Sequence, residues 1–125
     1  MKLSDYSKKK FYKGIELWRV DKDFSDPMFN YLVYGYSPGS FFTAVLANDF
    51  MGAVARSHPG NTITALKALT GWMSDCMPRM AWGSYENVKA WQAKDEQDRR
   101  NILVMHNLVF TPQQETFLEI KGEPA

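Results

Sequence analysis

The longest apolar segment of the chain runs from Ser37 to Ser57, and it constrains the fold more than any other stretch. At about 100° per residue, its phenylalanine, valine and leucine side chains share one broad face, while alanine and methionine occupy the opposite face. A helix that is apolar on nearly all sides is normally buried from several directions. The segment therefore predicts a central buried helix over about residues 40–56, surrounded by the rest of a compact, mainly α-helical bundle.

Two interpretations of how this helix begins are open. Ser37 can cap the first turn, with Pro38 at the first helical position, where its missing N–H costs nothing. Alternatively, Pro38 and the following glycine form a turn and Ser40 supplies the cap. The helix is expected to end at residues 57–60, Ser-His-Pro-Gly, because proline disfavours helix for the residue before it.

Asp49 is the one acidic residue inside the apolar face, close in angle to Arg56 two turns later. A buried carboxylate without a partner is strongly destabilising, so Asp49 requires a hydrogen bond or an opposite charge. One interpretation is a structural hydrogen bond to a neighbouring loop. The other is a functional carboxylate in a cleft, with Asn48 beside it.

The composition fits a single globular domain over residues 1–125, with 45% hydrophobic and 14% aromatic residues. A formal charge of only +1 argues against a general nucleic-acid binder, which usually has a clear basic excess. Cys76 is the only cysteine and there are two histidines, which excludes an internal disulfide and argues against a Cys/His zinc site. The sequence thus predicts no metal and no cofactor.

The sequence also predicts no association with a membrane. No apolar run reaches the roughly 18 residues that a spanning helix needs. The N-terminus lacks the apolar core of a signal peptide. We therefore expect the protein in the cytosol.

The N-terminal residues 1–13 are polar and basic, and two interpretations apply to them. Four lysines surround the aromatic pair Phe11 and Tyr12, namely Lys8, Lys9, Lys10 and Lys13. Interleaved lysines and aromatic rings can bind single-stranded nucleic acid, with lysines on phosphates and rings under bases. The favoured interpretation is a flexible or peripheral basic arm whose rings pack against the core. Residues 14–20 alternate in polarity and suggest a short strand, with a minor β-hairpin from the terminal segments as a variant of the fold.

Further helices are predicted from cap residues and apolar spacing. The expected starts are Ser25 or Asp26 before Pro27, Asn61 or Thr62, Ser84, and Thr111 with a capping-box glutamine. Gly35 is the expected C-cap of the first of these helices. The polar residues 92–101 are either an exposed helix or a surface excursion. In total we expect four to six helices.

Residues 38–50 read Pro-Gly-Ser-Phe-Phe-Thr-Ala-Val-Leu-Ala-Asn-Asp-Phe, and Trp-Gly-Ser follows at 82–84. This pattern resembles a group of short proteins of tailed bacteriophages and prophages, which share a Pro-Gly-Ser-Phe-x-Thr-Ala-Val-Leu-x-Asn-Asp core and a Trp-Gly-Ser element. The match covers the middle of the chain, and Ser37 and Phe50 stand where the group commonly has proline and leucine. The resemblance implies a phage or prophage product in the cytosol of a host bacterium, and it implies no particular activity.

The first functional hypothesis is a small, non-enzymatic phage accessory protein that binds a host or phage protein, with inhibition of a host process as one form. Tyrosine and tryptophan are enriched at binding surfaces, and the Asn-Asp pair is characteristic of the resembling group. The candidate partner-binding residues are Tyr34, Tyr36, Asn48, Asp49, Arg56, Trp82 and Tyr85. The ordinary alternative is that these rings complete the core.

Three other functions remain open. The first is binding of nucleic acid or a nucleotide through the four N-terminal lysines, with Arg56 and Arg79 as further cations. The second is a minor virion-associated structural role. An enzyme is least favoured, because no catalytic constellation is recognisable, so no catalytic residue is assigned. The oligomeric state is open, and a homodimer is one alternative.

Overall fold

The computed structural model describes residues 3–57 and 61–122. In these ranges the chain forms α1 (Asp5–Leu17), α2 (Lys22–Tyr34), α3 (Ser40–Leu46), α4 (Phe50–Arg56), α5 (Ile63–Cys76), α6 (Tyr85–Ala93), α7 (Glu96–Met105) and α8 (Pro112–Lys121). A 3-10 turn at Arg79–Ala81 lies between α5 and α6. The described ranges contain no strand, so the mainly α-helical fold is confirmed and the minor β-hairpin is not.

Local cap chemistry explains where several helices begin and end. The side chains of Thr62, Ser84 and Thr111 each accept a hydrogen bond from the backbone N–H three residues later. Gln114 completes the capping box of α8, and Gly35 ends α2 in the left-handed conformation with φ +72°. These predicted helix boundaries are therefore confirmed.

Two other predicted starts are wrong. α2 begins a turn earlier than expected because the Asp21 carboxylate caps it by accepting from the Asp23 backbone N–H at 2.9 Å. Pro27 consequently lies inside α2 and not in its first turn. α3 begins at Ser40 after Gly39, which has no side chain to cap with, so neither serine proposed for this position is the cap.

The core is organised around α2, which contacts α1, α6 and α7. Tyr31 and Trp91 are fully buried, and their polar groups are satisfied there. The Tyr31 hydroxyl donates to the Ala81 carbonyl at 2.7 Å, and the Trp91 indole N–H donates to the Tyr31 and Leu32 carbonyls at 3.2 Å each. A buried polar group without such a partner would be destabilising, so these bonds fix the position of α6 against α2.

Residues 5–13 are not an arm, because they form the first turns of α1. Phe11 is only 1% exposed, and its ring meets the rings of Phe29 and Trp72 edge-on, with centroids 5.3 and 5.8 Å apart. Such edge-to-face pairs are favourable beyond the burial of their area. α1 therefore belongs to the core, and the strand suggested for residues 14–20 is replaced by the last turn of α1 and a loop.

The predicted central helix over residues 40–56 is wrong, because the segment forms two short helices that meet at residues 47–49. Asn48 adopts a left-handed conformation with φ +61°, which ends α3. Asp49 then caps α4 by accepting from the Gly52 backbone N–H at 2.9 Å. α3 buries Ala44 and Leu46, whereas every side chain of α4 is exposed or half-buried. The central position therefore belongs to α2.

The polar segment 92–101 includes the start of α7, and two of its arginines are buried. Arg99 donates from Nε to the Val33 carbonyl at 3.1 Å and from Nη1 to the Lys94 carbonyl. It thereby satisfies carbonyl groups at the ends of α2 and α6, where a cation is favourable. A Cβ at Gly35 would stand 2.9 Å from the Arg99 Nη1, so glycine is needed there for space as well as for its backbone conformation.

A second buried network joins the two ends of the chain. Arg100 forms an ion pair with Glu115, and the Ser4 and Ser7 hydroxyls donate to the same carboxylate. The Ser7 hydroxyl also accepts from the Phe110 backbone N–H at 3.1 Å. Desolvation raises the pKa of Glu115, but the hydrogen bonds from the two serines and the Arg100 charge outweigh it, so the pKa lies below its ordinary value. The network fastens α1, α7 and α8 together.

Candidate binding groove

An open groove with a volume of about 630 Å³ lies between α4 and α5. Its apolar lining comes from three helices and includes Phe41 and Val45 of α3, Phe50 and Val54 of α4, and Ile63 and Leu66 of α5. The polar residues along it are Asn48, Asp49, Lys67 and Thr70. We call this feature the α4–α5 groove. It has the volume of a ligand site and walls that are mostly hydrocarbon.

The walls of the groove expose large apolar side chains. Phe50 is 75% exposed, Val54 is 54% exposed and Ile63 is 85% exposed. Burying such apolar surface is favourable by a free energy of about 25 cal/mol per Å², and this stabilisation is absent while the side chains face water. Single exposed apolar residues are common on proteins, but a contiguous patch bordered by polar groups is characteristic of an interaction surface.

Asp49 anchors one end of the groove through both of its carboxylate oxygens. Oδ1 accepts from the Gly52 N–H at 2.9 Å, and Oδ2 accepts from the Tyr85 hydroxyl at 2.5 Å. The bond from Tyr85, followed by that from Gly52 and the nearby charge of Arg56, lowers the pKa of Asp49. The same contact raises the pKa of the Tyr85 phenol. Asp49 is thus a helix cap bonded to a neighbouring element and not a carboxylate inside a buried apolar face.

Tyr85 reaches Asp49 because the segment before α6 is fastened to the end of α3. The Gly83 backbone N–H donates to the Leu46 carbonyl at 2.7 Å, and α6 starts two residues later after its Ser84 cap. The Asp49–Tyr85 hydrogen bond therefore joins residues 36 positions apart in the chain. Arg56 completes this end, with Nη1 donating to the Gly52 carbonyl at 3.2 Å.

Four of the seven candidate partner-binding residues lie together at this end of the groove, namely Asn48, Asp49, Arg56 and Tyr85. Trp82 is half-buried nearby in the chain, and the Arg79 guanidinium lies over its ring at 4.6 Å. Its indole N–H has no acceptor within the part of the chain that the structure describes. Trp82 therefore contributes to packing as well as to the surface.

Tyr34 and Tyr36 form a separate cluster. Their rings are stacked with centroids 5.3 Å apart, and Tyr34 also meets Phe29 edge-on at 6.0 Å. Tyr36 lines a smaller depression of about 270 Å³ together with Asp26 and Pro38. The structure thus divides the predicted candidates between the α4–α5 groove and this tyrosine pair.

The arrangement of the N-terminal lysines supports only part of the nucleic-acid hypothesis. Lys8, Lys9 and Lys13 are exposed. Lys10 donates to the Asn107 side-chain carbonyl at 2.9 Å. Phe11 is buried, and the Tyr12 hydroxyl donates to Asp26 at 2.6 Å. Burial, followed by this hydrogen bond and the Asp26 charge, raises the pKa of Tyr12. Both rings therefore pack against the core, as the favoured interpretation predicted, and are not free to stack on bases, so only the electrostatic part of the nucleic-acid hypothesis stays a prediction.

The sequence analysis missed the groove because it assigned Phe50 and Val54 to the core. Both lie on one face of α4, one turn apart, which is also the spacing of a buried stripe. The one signal in the sequence is the Asn48-Asp49 pair, which combines a helix-ending residue with a helix-starting one and so indicates that the segment divides into two helices. His58, which is close to Asp49 and Arg56 in the sequence, lies outside the described residues.

Residues 3–57 and 61–122 hold no group of three or more His, Cys, Asp or Glu side chains placed to bind a metal ion. Nor does any helix in these ranges have both the length and the apolar character required to cross a bilayer. Comparisons of the chain with protein-family models, curated protein sequences and solved structures gave no match. The resemblance to phage proteins therefore stays a prediction.

Proposed function

We propose that the chain is a small, non-enzymatic accessory protein that binds a host or phage protein through the α4–α5 groove. The observation that carries the proposal is the exposure of Phe50, 75% of whose surface faces solvent at the edge of a groove of about 630 Å³. Large aromatic side chains at the centre of an interface commonly supply much of its binding energy. Phe50 offers such an aromatic anchor on the α4 wall, and Ile63 exposes a large aliphatic side chain on the α5 wall.

The fixed end of the groove supports the same proposal. Asp49 is bonded to both Gly52 and Tyr85, which holds the first turn of α4 against the segment before α6. A wall that is already ordered loses less conformational entropy when a partner binds. Inhibition of a host process is one consequence that such binding can have in an infected bacterium.

The test uses two variants of adjacent, equally exposed residues on α4. Phe50 lines the groove, whereas Met51, which is 76% exposed, is not part of the lining. Tagged wild type, Phe50→Glu and Met51→Glu are incubated with lysate of the gene's own bacterial host, with and without phage infection, and retained proteins are identified by mass spectrometry. Equal circular-dichroism melting curves confirm that both variants are folded.

We expect a protein that wild type and Met51→Glu retain and that Phe50→Glu loses. The retained protein is then purified, and its Kd for the three chains is measured. If nothing is retained, or if retention is the same with Phe50→Glu as with wild type, the groove is not the partner-binding site and the proposal fails.

A further inference from the structure

The α4–α5 groove has helical walls whose side chains repeat at helical intervals. On α4 the lining residues Phe50 and Val54 are four positions apart, and on α5 Ile63, Leu66 and Thr70 are separated by three and four. At 1.5 Å per residue, the row on α5 is about 10 Å long, which corresponds to two helical turns, and the row on α4 is about 6 Å long, which corresponds to one turn. Rows with this spacing form the ridges and grooves into which another helix packs.

Resting on the proposed function, we propose that the occupant is a short amphipathic α-helix of the partner protein. Its apolar residues at i, i+3 or i+4, and i+7 fill the groove, and an acidic residue on its flank meets Lys67 of α5. A helix supplies its own backbone hydrogen bonds, and its polar face can remain in water.

The openness of the groove excludes a small apolar molecule as the preferred occupant. Sites for small molecules usually enclose most of the ligand surface, whereas Phe50, Val54 and Ile63 here are each more than half exposed. An extended peptide is disfavoured for a different reason. Strand addition requires an open sheet edge, and both walls are helices that bond their own backbone groups. A helix is therefore the peptide conformation that the walls can accept by side-chain packing alone.

The charges along the groove select an acidic flank on the bound helix. The negative charge of Asp49 is already engaged by Tyr85 and Gly52, with Arg56 beside it. Lys67 lines the opposite wall and is exposed, and it has no ion-pair partner among residues 3–57 and 61–122. A carboxylate facing Lys67 gains an attractive contact, whereas a lysine there would be repelled. Exposed pairs of this kind set specificity more than affinity.

The probe is a displayed library of helical peptides of about 14 residues, which spans the two-turn groove with a further turn at each end. Positions on one face and its two flanks are randomised within an alanine-rich framework. Binders are selected on wild type after depletion on Phe50→Glu. Individual peptides are then synthesised, and their Kd values are measured by fluorescence anisotropy against wild type, Phe50→Glu, Met51→Glu, Lys67→Glu and Lys67→Met.

We expect groove-dependent peptides with apolar residues at helical spacing and an Asp or Glu on one flank. Phe50→Glu should weaken binding at least tenfold, because it places a charge among the apolar side chains that line the groove, whereas Met51→Glu should change it less than about twofold. Lys67→Glu should weaken binding of the acidic peptide by about fivefold or less. It should tighten binding of the matched peptide in which lysine replaces the acid, and Lys67→Met should give intermediate values.

Three results overturn this inference. The first is that the selected peptides lack helical spacing or remain non-helical by circular dichroism when bound. The second is that the acidic preference is the same in wild type and Lys67→Glu. The third is that sedimentation velocity shows a dimer of the wild-type chain that Phe50→Glu dissociates, in which case a second copy fills the groove. A lysate protein whose retention depends on Phe50, in the absence of any such peptide, leaves the proposed function intact and removes only the helical occupant.

Discussion

The burial of the two short helices α4 and α7 is the reverse of what their composition suggests. α4 reads Phe-Met-Gly-Ala-Val-Ala-Arg, and every one of its side chains is exposed or half-buried. α7 starts with Glu-Gln-Asp-Arg-Arg-Asn, yet Arg99 and Arg100 are only 6% and 5% exposed. The apolar helix thus lies at the surface, while the polar one contributes to the interior.

The difference shows what holds each region together. α7 is anchored by charged groups with specific partners, since Arg100 meets Glu115 and Arg99 meets the carbonyls of Val33 and Lys94. α4 is anchored by its packing against α3, by the Asp49 cap and by the bond from Tyr85 to Asp49. Folding does not bury the apolar face of α4, so this face is accessible to a partner.

The largest effect is expected at the buried ion pair. Glu115→Ala leaves the Arg100 guanidinium buried without its carboxylate and removes the acceptor of the Ser4 and Ser7 hydroxyls. The free energy of unfolding should fall by about 3–5 kcal/mol, as measured by urea denaturation. Glu119→Ala on the exposed side of the same helix should change it by less than about 0.5 kcal/mol. A loss below about 1 kcal/mol for Glu115→Ala would contradict the anchoring role given to this network.

Arg99→Met should have the next largest effect on stability. Methionine keeps much of the buried aliphatic volume but cannot donate to the Val33 and Lys94 carbonyls. We expect the free energy of unfolding to fall by about 2–3 kcal/mol. Lys89→Met, at an exposed position of α6, is the matched control. Equal unfolding midpoints for the two variants would mean that Arg99 does not support the helix ends.

Acidification should weaken the buried network around Glu115. The folded-state pKa of Glu115 lies below its ordinary value of about 4.3, so its stabilising contribution is present above that value and is lost as the pH falls through the folded pKa. Unfolding free energies measured from pH 6 down to about pH 3 should therefore decline more steeply for wild type than for Glu115→Gln, which has no charge to lose. Parallel curves would assign the acid sensitivity to other carboxylates.

The sequence predicts helix boundaries better than it predicts which polar side chains are buried, because the contacts that determine a boundary are local. The caps Thr62, Ser84 and Thr111 bond to backbone groups three residues away, so a short sequence window contains the whole interaction. Arg99 instead bonds to Val33 across 66 residues, and no local pattern indicates that an arginine in a polar run will be buried.

The sequence predicted some residues of the candidate site but not their arrangement, because the contacts that join them are also distant in the chain. Asp49 and Tyr85 were both proposed from residue type, and the structure joins them by a hydrogen bond across 36 positions. The wall residue Phe50 was misassigned, because apolar spacing is the same for a helix facing a core and for one facing a groove. Only the arrangement of α3, α4 and α5 distinguishes these cases, and that arrangement is set by tertiary contacts.

A pair of phenylalanine substitutions tests whether α4 belongs to the core, with the buried Phe29 as the reference. Phe50→Ala should change the free energy of unfolding by less than about 0.5 kcal/mol, because Phe50 is mostly in water. Phe29→Ala, at a position only 3% exposed, should lower it by about 3–5 kcal/mol in the same urea titration. If Phe50→Ala were as destabilising as Phe29→Ala, α4 would belong to the core and the groove would not be an open surface.

The smallest effect is local and concerns the cap of α4. Asp49→Ala removes the acceptor of the Gly52 N–H and of the Tyr85 hydroxyl, whereas Asp49→Ser keeps a capping oxygen and Tyr85→Phe removes only the phenol contact. Hydrogen exchange of the Gly52 and Ala53 amides should accelerate most for Asp49→Ala and least for Asp49→Ser, while exchange in α2 stays unchanged. Because the Tyr85 bond lowers the pKa of Asp49, these amides in wild type should stay protected below the ordinary titration range of an aspartate. Protection that is lost equally in α2 and α4 would show that α4 opens only with the core, and the two regions would then form one cooperative unit.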